Sequence, residues 1–360
     1  MNENTGLPAQ AFPAGEYLRD ELEAREWSVV EFARILGRPP QAVSEILNGR
    51  KEITPETAME IAAATDTEAA TWLRLQDTYR LWKLSRTADA SRTAVVARRA
   101  RLAQLLPMSE LRKRSLIPPG ADIDTEEAAV LDLLEISDFS EQPPFVFAAR
   151  RSNESDPVSP PQLAWIASVR KAATAAGSLV PRSGAIPDLA ADVVSLSRNP
   201  EALTRLPEVF AAYGIRLVYV AHFKSGKIDG GAYIDDMGTP VVAISGRVPR
   251  IDSVVFTLLH ELAHIHLGHL SAGMTLDTDV CAATENATER EADRLAMRWA
   301  LPPQLGLEPP ISKRAVLDRA STLGVHPGLI VGRLQHKNIL PWTHLRDLTP
   351  NVRNQLAAWG

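Results

Sequence analysis

The stretch that most constrains how this chain can fold is TLLHELAHIHLGH, from Thr257 to His269. His260 and His264 are four residues apart in an apolar run. Only a helix puts such a pair on one face, one turn apart, where both can reach a single point. Glu261 then lies about 100° round the same turn. Two histidines at this spacing with a glutamate between them make a metal-ligand pair and a general base. The metal acidifies a water and the glutamate takes its proton, for attack on a carbonyl.

Two histidines hold a metal weakly, so a third ligand is expected. The next acidic helix, TEREADRLAMRWALP from Thr288, offers Glu289 as that ligand. Asp293 shares its face, four residues on, where it can bond the far nitrogen of a ligand histidine. Glu291 is the alternative ligand. His266 and His269 fall off the face of His260 and His264 by helical angle and read as surface or packing residues. A third histidine six residues after the pair is absent, because Leu270 stands there.

The front of the chain is different. Ser28 caps a helix that stops at Gly37, and a second helix runs from Pro39 to Gly49. Thr54-Pro55-Glu56-Thr57 opens another through Ala64, and a fifth helix carries Trp72, Leu75, Tyr79 and Trp82. The second and third helices have the spacing of a helix-turn-helix, with Val30, Phe32, Ala33, Leu36, Val43, Ile46 and Leu47 as its core. Gln41 and Ser44 are then candidate base readers. Arg38 and Asn48 line the same helix, and Arg50 and Lys51 are candidate phosphate contacts. From Ala14 to Lys83 there are 13 acids against nine bases, a net −4. Phosphate neutralisation drives DNA affinity, so the missing cations must come from dimerisation or from the next segment. That segment, Arg86 to Ser115, carries eight bases and two acids.

Beyond Tyr213 the periodicity becomes that of strands, in IRLVYVAHF, GGAYID and PVVAIS. Either of the last two is expected to offer a sheet edge on which an extended substrate lies. The Pro-rich stretch from Glu141 to Gln162 reads as exposed loop. A single cysteine, Cys281, excludes an internal disulfide and fits a reducing compartment. Without an apolar leader or an apolar run of membrane-spanning length, a cytoplasmic protein away from membranes is expected.

Two resemblances sharpen this reading. PAGEYLRDELEAREWSVVEFARILGRPPQAVSEILNGRKEITPETAMEIAAAT, with WLRLQDTYRLW after it, resembles the HigA-type antitoxins of the XRE helix-turn-helix family. Where that family has a capping serine before the third helix this chain has Pro39, so the capping bond is lost. RIDSVVFTLLHELAHIHLGH, EREADRLAMRWALP and VHPGLIVGRLQHKNILP together resemble the ImmA/IrrE metallopeptidases. That resemblance implies zinc held by His260, His264 and Glu289, with Glu261 as base. It also implies proteolysis of a regulatory protein, and it singles out Arg333 and His336 for substrate binding or transition-state stabilisation.

The expected architecture is α+β and mostly α. A five-helix DNA-binding module spans 1–85, a helical linker 86–208, a zincin-like domain with a small sheet 209–345, and a tail 346–360. The expected function is a DNA-binding regulator, acting as a homodimer on a double-stranded operator. Its zinc endopeptidase would cut a repressor or the chain itself. The alternative is a repressor or antitoxin without proteolysis, with a toxin as partner and the metal domain as sensor or scaffold.

Overall fold

The structure, a computed structural model, describes residues 8–86, 88–145, 150–151, 158–177, 179, 185–272, 275–277 and 287–359. Cys281 and much of the Pro-rich stretch lie outside them. The chain divides into two compact units, Met1–Ala100 and Arg101–Gly360.

The first unit is helical. Its elements are α1 (Ala14–Ala24), α2 (Val29–Ile35), α3 (Pro40–Leu47), α4 (Pro55–Thr65) and α5 (Ala69–Leu84), followed by α6 (Ala88–Leu105), which runs past its boundary. The starts follow local chemistry. Ser28 Oγ accepts from the Glu31 amide at 3.2 Å, and Thr54 Oγ1 from the Thr57 amide at 3.3 Å. Pro39 precedes α3 and makes no side-chain cap bond. Gly37 and Gly49, both at φ +65°, take the left-handed turns that end α2 and α3. Leu18, Phe32, Val43, Ile46, Ile61 and Trp72 form the core. Val30, expected in that core, is 57% exposed. It lies two residues from Phe32, about 200° round a helix, so one short helix cannot bury both. Gly15 lies inside α1, where a Cβ would fall 2.1 Å from the Ile46 carbonyl oxygen. The α1–α3 crossing therefore needs glycine.

The second unit contains α7 (Met108–Lys113), α8 (Ile123–Leu134), β1 (Arg150–Arg151), α9 (Pro160–Ala175), α10 (Ile186–Leu196) and α11 (Leu206–Ala212). Then come β2 (Arg216–Tyr219), β3 (Gly230–Ile234), β4 (Pro240–Ile244), α12 (Ile251–His266) and β5 (Thr275–Asp277). The unit ends with α13 (Ala287–Ala300), α14 (Lys313–Leu323), α15 (Pro327–His336) and α16 (Arg353–Ala357). The architecture is α+β and mostly helical.

The sheet order among the described residues is β1-β5-β3-β4-β2. β3 and β4 form an antiparallel hairpin, β2 runs parallel to β4, and β5 pairs antiparallel with β3. GAYID and PVVAIS therefore lie in β3 and β4, inside the sheet rather than at its edge. β5 covers Gly230 to Ala232 and removes the open edge that the hairpin alone would leave.

The core corrects two expectations about what lies outside the metal domain. Leu189, Val193, Leu203 and Phe210, from the segment expected as linker, pack in the same core as α12. The segment 346–360, expected as a tail, adds Leu348, Val352 and Leu356 to that core. Backbone bonds hold it there: the Ile251 amide donates to Pro350 O at 3.1 Å and the Val352 amide to Pro249 O at 2.8 Å. Among the described residues no helix is long and apolar enough to cross a membrane.

Candidate metal centre and helix-turn-helix surface

α12 is an apolar helix whose residues from Val254 onward are buried almost all round, including His260, Glu261 and His264. Their burial follows from position, because α10, α13 and α15 pack on this helix and the sheet covers another side. Nε2 of His264 lies 2.9 Å from Nε2 of His260. Oε2 of Glu289, from the first turn of α13, lies 3.2 Å from His260 Nε2 and 3.4 Å from His264 Nε2. Three lone-pair atoms thus face one point. Ligands about 2.05 Å from a tetrahedral zinc stand about 3.3 Å apart, so the donor set and the triangle fit a zinc ion. Burial would raise the Glu289 carboxyl. Hydrogen bonds from both histidines outweigh it and hold the group below the usual carboxylate range.

The supporting shell is only partly as expected. Nδ1 of His260 lies 2.9 Å from Oδ1 of Asp293, as the spacing on α13 anticipated. Glu291 is exposed and stands 3.7 Å from His269 instead of joining the triangle. His269 is a correction. Its Nδ1 lies 3.1 Å from Nδ1 of His264, so it backs a ligand histidine. The helix ends at His266 and Gly268 turns the chain at φ +73°, so helical angles do not extend to residue 269. The glycine was the signal in the sequence that the helix stops before His269.

Glu261 is fully buried against β3. A Cβ on Gly230 would fall 2.7 Å from its Oε1 and 2.6 Å from Thr257 Cγ2, so this glycine sets how closely strand and base approach. A cavity of about 420 Å³ is lined by Asp229, Phe256, Thr257, Asp293 and Met297 among others, and by none of His260, Glu261, His264 and Glu289. His336 lines the same cavity with its ring edge-on to Trp342, centroids 4.9 Å apart, and is not among the three clustered ligands. Arg333 lines this cavity too. Its guanidinium donates to Leu301 O at 3.2 Å, to Pro302 O at 2.7 Å and to Met297 O, closing the last turn of α13. It is a structural clamp on the helix that carries Glu289.

In the first unit Gln41, Asn48, Arg50 and Lys51 of the expected DNA-facing residues are exposed, and Gln41 Nε2 donates to Glu45 Oε1 at 3.3 Å. Arg38 is bound to Glu60 at 2.5 Å and Asn48 bonds Ser44 O at 2.8 Å and Ser44 Oγ at 3.3 Å. Arg19 also donates to Asn48 Oδ1 at 3.3 Å. Arg38, Gln41, Ser44 and Asn48 thus each have a hydrogen-bond partner within the fold, with Gln41 and Asn48 still exposed.

A helix-turn-helix family model matches residues 18–72. An uncharacterised HTH-type transcriptional regulator of Escherichia coli, YddM, is 31% identical over 75 residues, which are 21% of this chain and 80% of that protein. A second HTH-type regulator, from Haemophilus influenzae, is 37% identical over 71 residues, 19% of this chain and 66% of that protein. Among solved structures, a HigA-family addiction-module antidote protein from Coxiella burnetii is 31% identical. It matches 23% of this chain and 90% of its own, with a TM-score of 0.22. PA4674 from Pseudomonas aeruginosa, solved with its operator DNA, is 31% identical over 21% of this chain and 81% of its own, TM-score 0.20. This chain belongs, through its first unit, to the helix-turn-helix transcriptional regulators.

Proposed function

We propose that this protein is a DNA-binding regulator whose second unit is a zinc-dependent endopeptidase acting on a regulatory protein. The observation that carries the reading is the buried triangle of His260, His264 and Glu289, with Glu261 beside it and Asp293 behind His260. A zinc ion held there would acidify a water and polarise a substrate carbonyl. Glu261 would take the proton of that water and pass it to the departing amine. Asp293 and His269 would orient the two ligand histidines. A scaffold built only to hold a metal has no use for a buried glutamate at position 261.

Family membership and the exposed Gln41, Arg50 and Lys51 support operator binding through α3 and the turn after it. Two copies of the chain would match two half-sites on one duplex.

The test is Glu261→Gln. The variant is expected to keep its zinc and its fold while cleavage in cells, read as new protein N-termini by mass spectrometry, falls about 10²–10⁴-fold. If new termini and the transcription of target genes are the same in variant and wild type, the protein regulates without proteolysis.

A further inference from the structure

We propose that α6 is a second DNA-contacting element, laying Arg92 and Arg99 on the phosphate backbone of the duplex that the helix-turn-helix engages. The proposal rests on the reading that the first unit binds DNA. From Ser91 to Arg101 only Val95 and Arg98 are half-buried, and every other residue is exposed. Even Val96 is 59% exposed. A helix takes most of its stability from packing an apolar face, and this stretch buries none.

Its composition says what would lie against it. Ala88 to Leu105 holds four arginines and one aspartate. Arg92 and Arg99 are seven residues apart, hence on one face and about 10 Å apart along the axis. The face between them carries Val96, which is exposed, and the half-buried Val95, with Thr93 and Ala100 beside them. A protein partner would need an aromatic or large apolar anchor, and single-stranded nucleic acid an aromatic stacking surface. Between Ala88 and Leu105 there is no aromatic residue. Charge complementarity points the same way. The helix-turn-helix segment is net −4, and of its expected phosphate contacts only Arg50 and Lys51 are exposed cations following α3. A cationic helix immediately after it supplies the neutralisation that duplex binding requires.

The experiment uses the full chain and a mixed-sequence DNA duplex of about three helical turns, because backbone contacts need no operator. The slope of log affinity against log salt is measured by fluorescence anisotropy. Arg92→Gln with Arg99→Gln is expected to lower that slope by about 1.8, roughly 0.9 for each lost phosphate contact. Arg92→Lys with Arg99→Lys is expected to keep it. Gln and Lys match Arg in helix propensity, so circular dichroism should be unchanged in both. Arg50→Gln with Lys51→Gln serves as the control on the helix-turn-helix. If that control lowers the slope and the α6 glutamine variant leaves it unchanged, α6 does not touch DNA and the proposal is wrong. If wild type binds no duplex even at low salt, the DNA reading of the whole unit fails, and this proposal fails with it.

Discussion

At the scale of single residues, the candidate metal centre is organised by the far nitrogens of its histidines. Asp293 stands at Nδ1 of His260 and His269 at Nδ1 of His264. Such partners fix the ring orientation and tautomer, and losing one typically weakens metal affinity 10–100-fold. Asp293→Ala should therefore bind zinc about 10–100-fold more weakly in a competition titration, whereas His264→Ala should retain none by elemental mass spectrometry. Equal affinity in wild type and Asp293→Ala would remove Asp293 from the site. A histidine away from this site contributes to acid sensitivity. His326 Nδ1 accepts the Gly328 amide at 3.0 Å and caps α15, and burial holds its pKa below the ordinary 6.5. The folded state keeps this ring neutral, while the unfolded chain protonates it near 6.5. Its contribution is thus complete above that pH and declines as pH falls from 6.5 towards the lower folded value. His326→Asn keeps a capping oxygen without a titrating ring. The fall in melting temperature of the second unit between pH 7 and 5 should be smaller in this variant, and an equal fall would sink the assignment.

At the scale of elements, two glycines decide how closely backbones pass. Gly15 brings α1 against α3, and Gly230 brings β3 against Glu261. For Gly15→Ala two effects oppose each other. Alanine gains roughly 1 kcal/mol of helix propensity. Overpacking against a carbonyl 2.1 Å away costs about 3 kcal/mol, the upper end of its usual range, because backbone cannot swing aside as a side chain can. The clash should prevail and lower the melting temperature of the first unit by roughly 10 °C, with zinc content unchanged. A rise in melting temperature would show that the crossing can open without cost. Nothing local in the sequence marks a glycine that a distant helix will touch. The helix starts were legible because Ser28 and Thr54 act on amides three residues away. β1 and β5 were not, because strands of two and three residues carry too little periodicity to register, and only the pairing of β5 with β3 and of β1 with β5 stabilises them.

At the scale of the whole molecule, two units with separate cores should unfold as two events. The candidate metal ligands all lie in the second unit, and a ligand that binds only the folded state stabilises the unit that holds it. Chelation should therefore lower the second calorimetric transition and leave the first in place. A shift of both together would show that the two units unfold cooperatively. The division also explains why a linker seemed to run as far as residue 208. The helices from Pro160 to Ala212 look like ordinary amphipathic segments one at a time, and only the fold shows that they close the core around α12.

By itself the sequence determined whatever depends on neighbours three or four residues apart. The His260–Glu261–His264 set, the Glu289–Asp293 pair, the helix caps and the existence of strands β3 and β4 all belong there, because helical and extended geometry project fixed spacings onto fixed faces. Only the tertiary structure decided what depends on chains meeting from a distance. It brought Glu289 rather than Glu291 to the histidines, returned His269 to His264 past Gly268, and tied Arg38 to Glu60. It also tied Arg333 to the carbonyls at the end of α13 and drew residues 346–356 into the core. Each of these outcomes was settled by burial, which demands partners for polar groups wherever the chain happens to bring them.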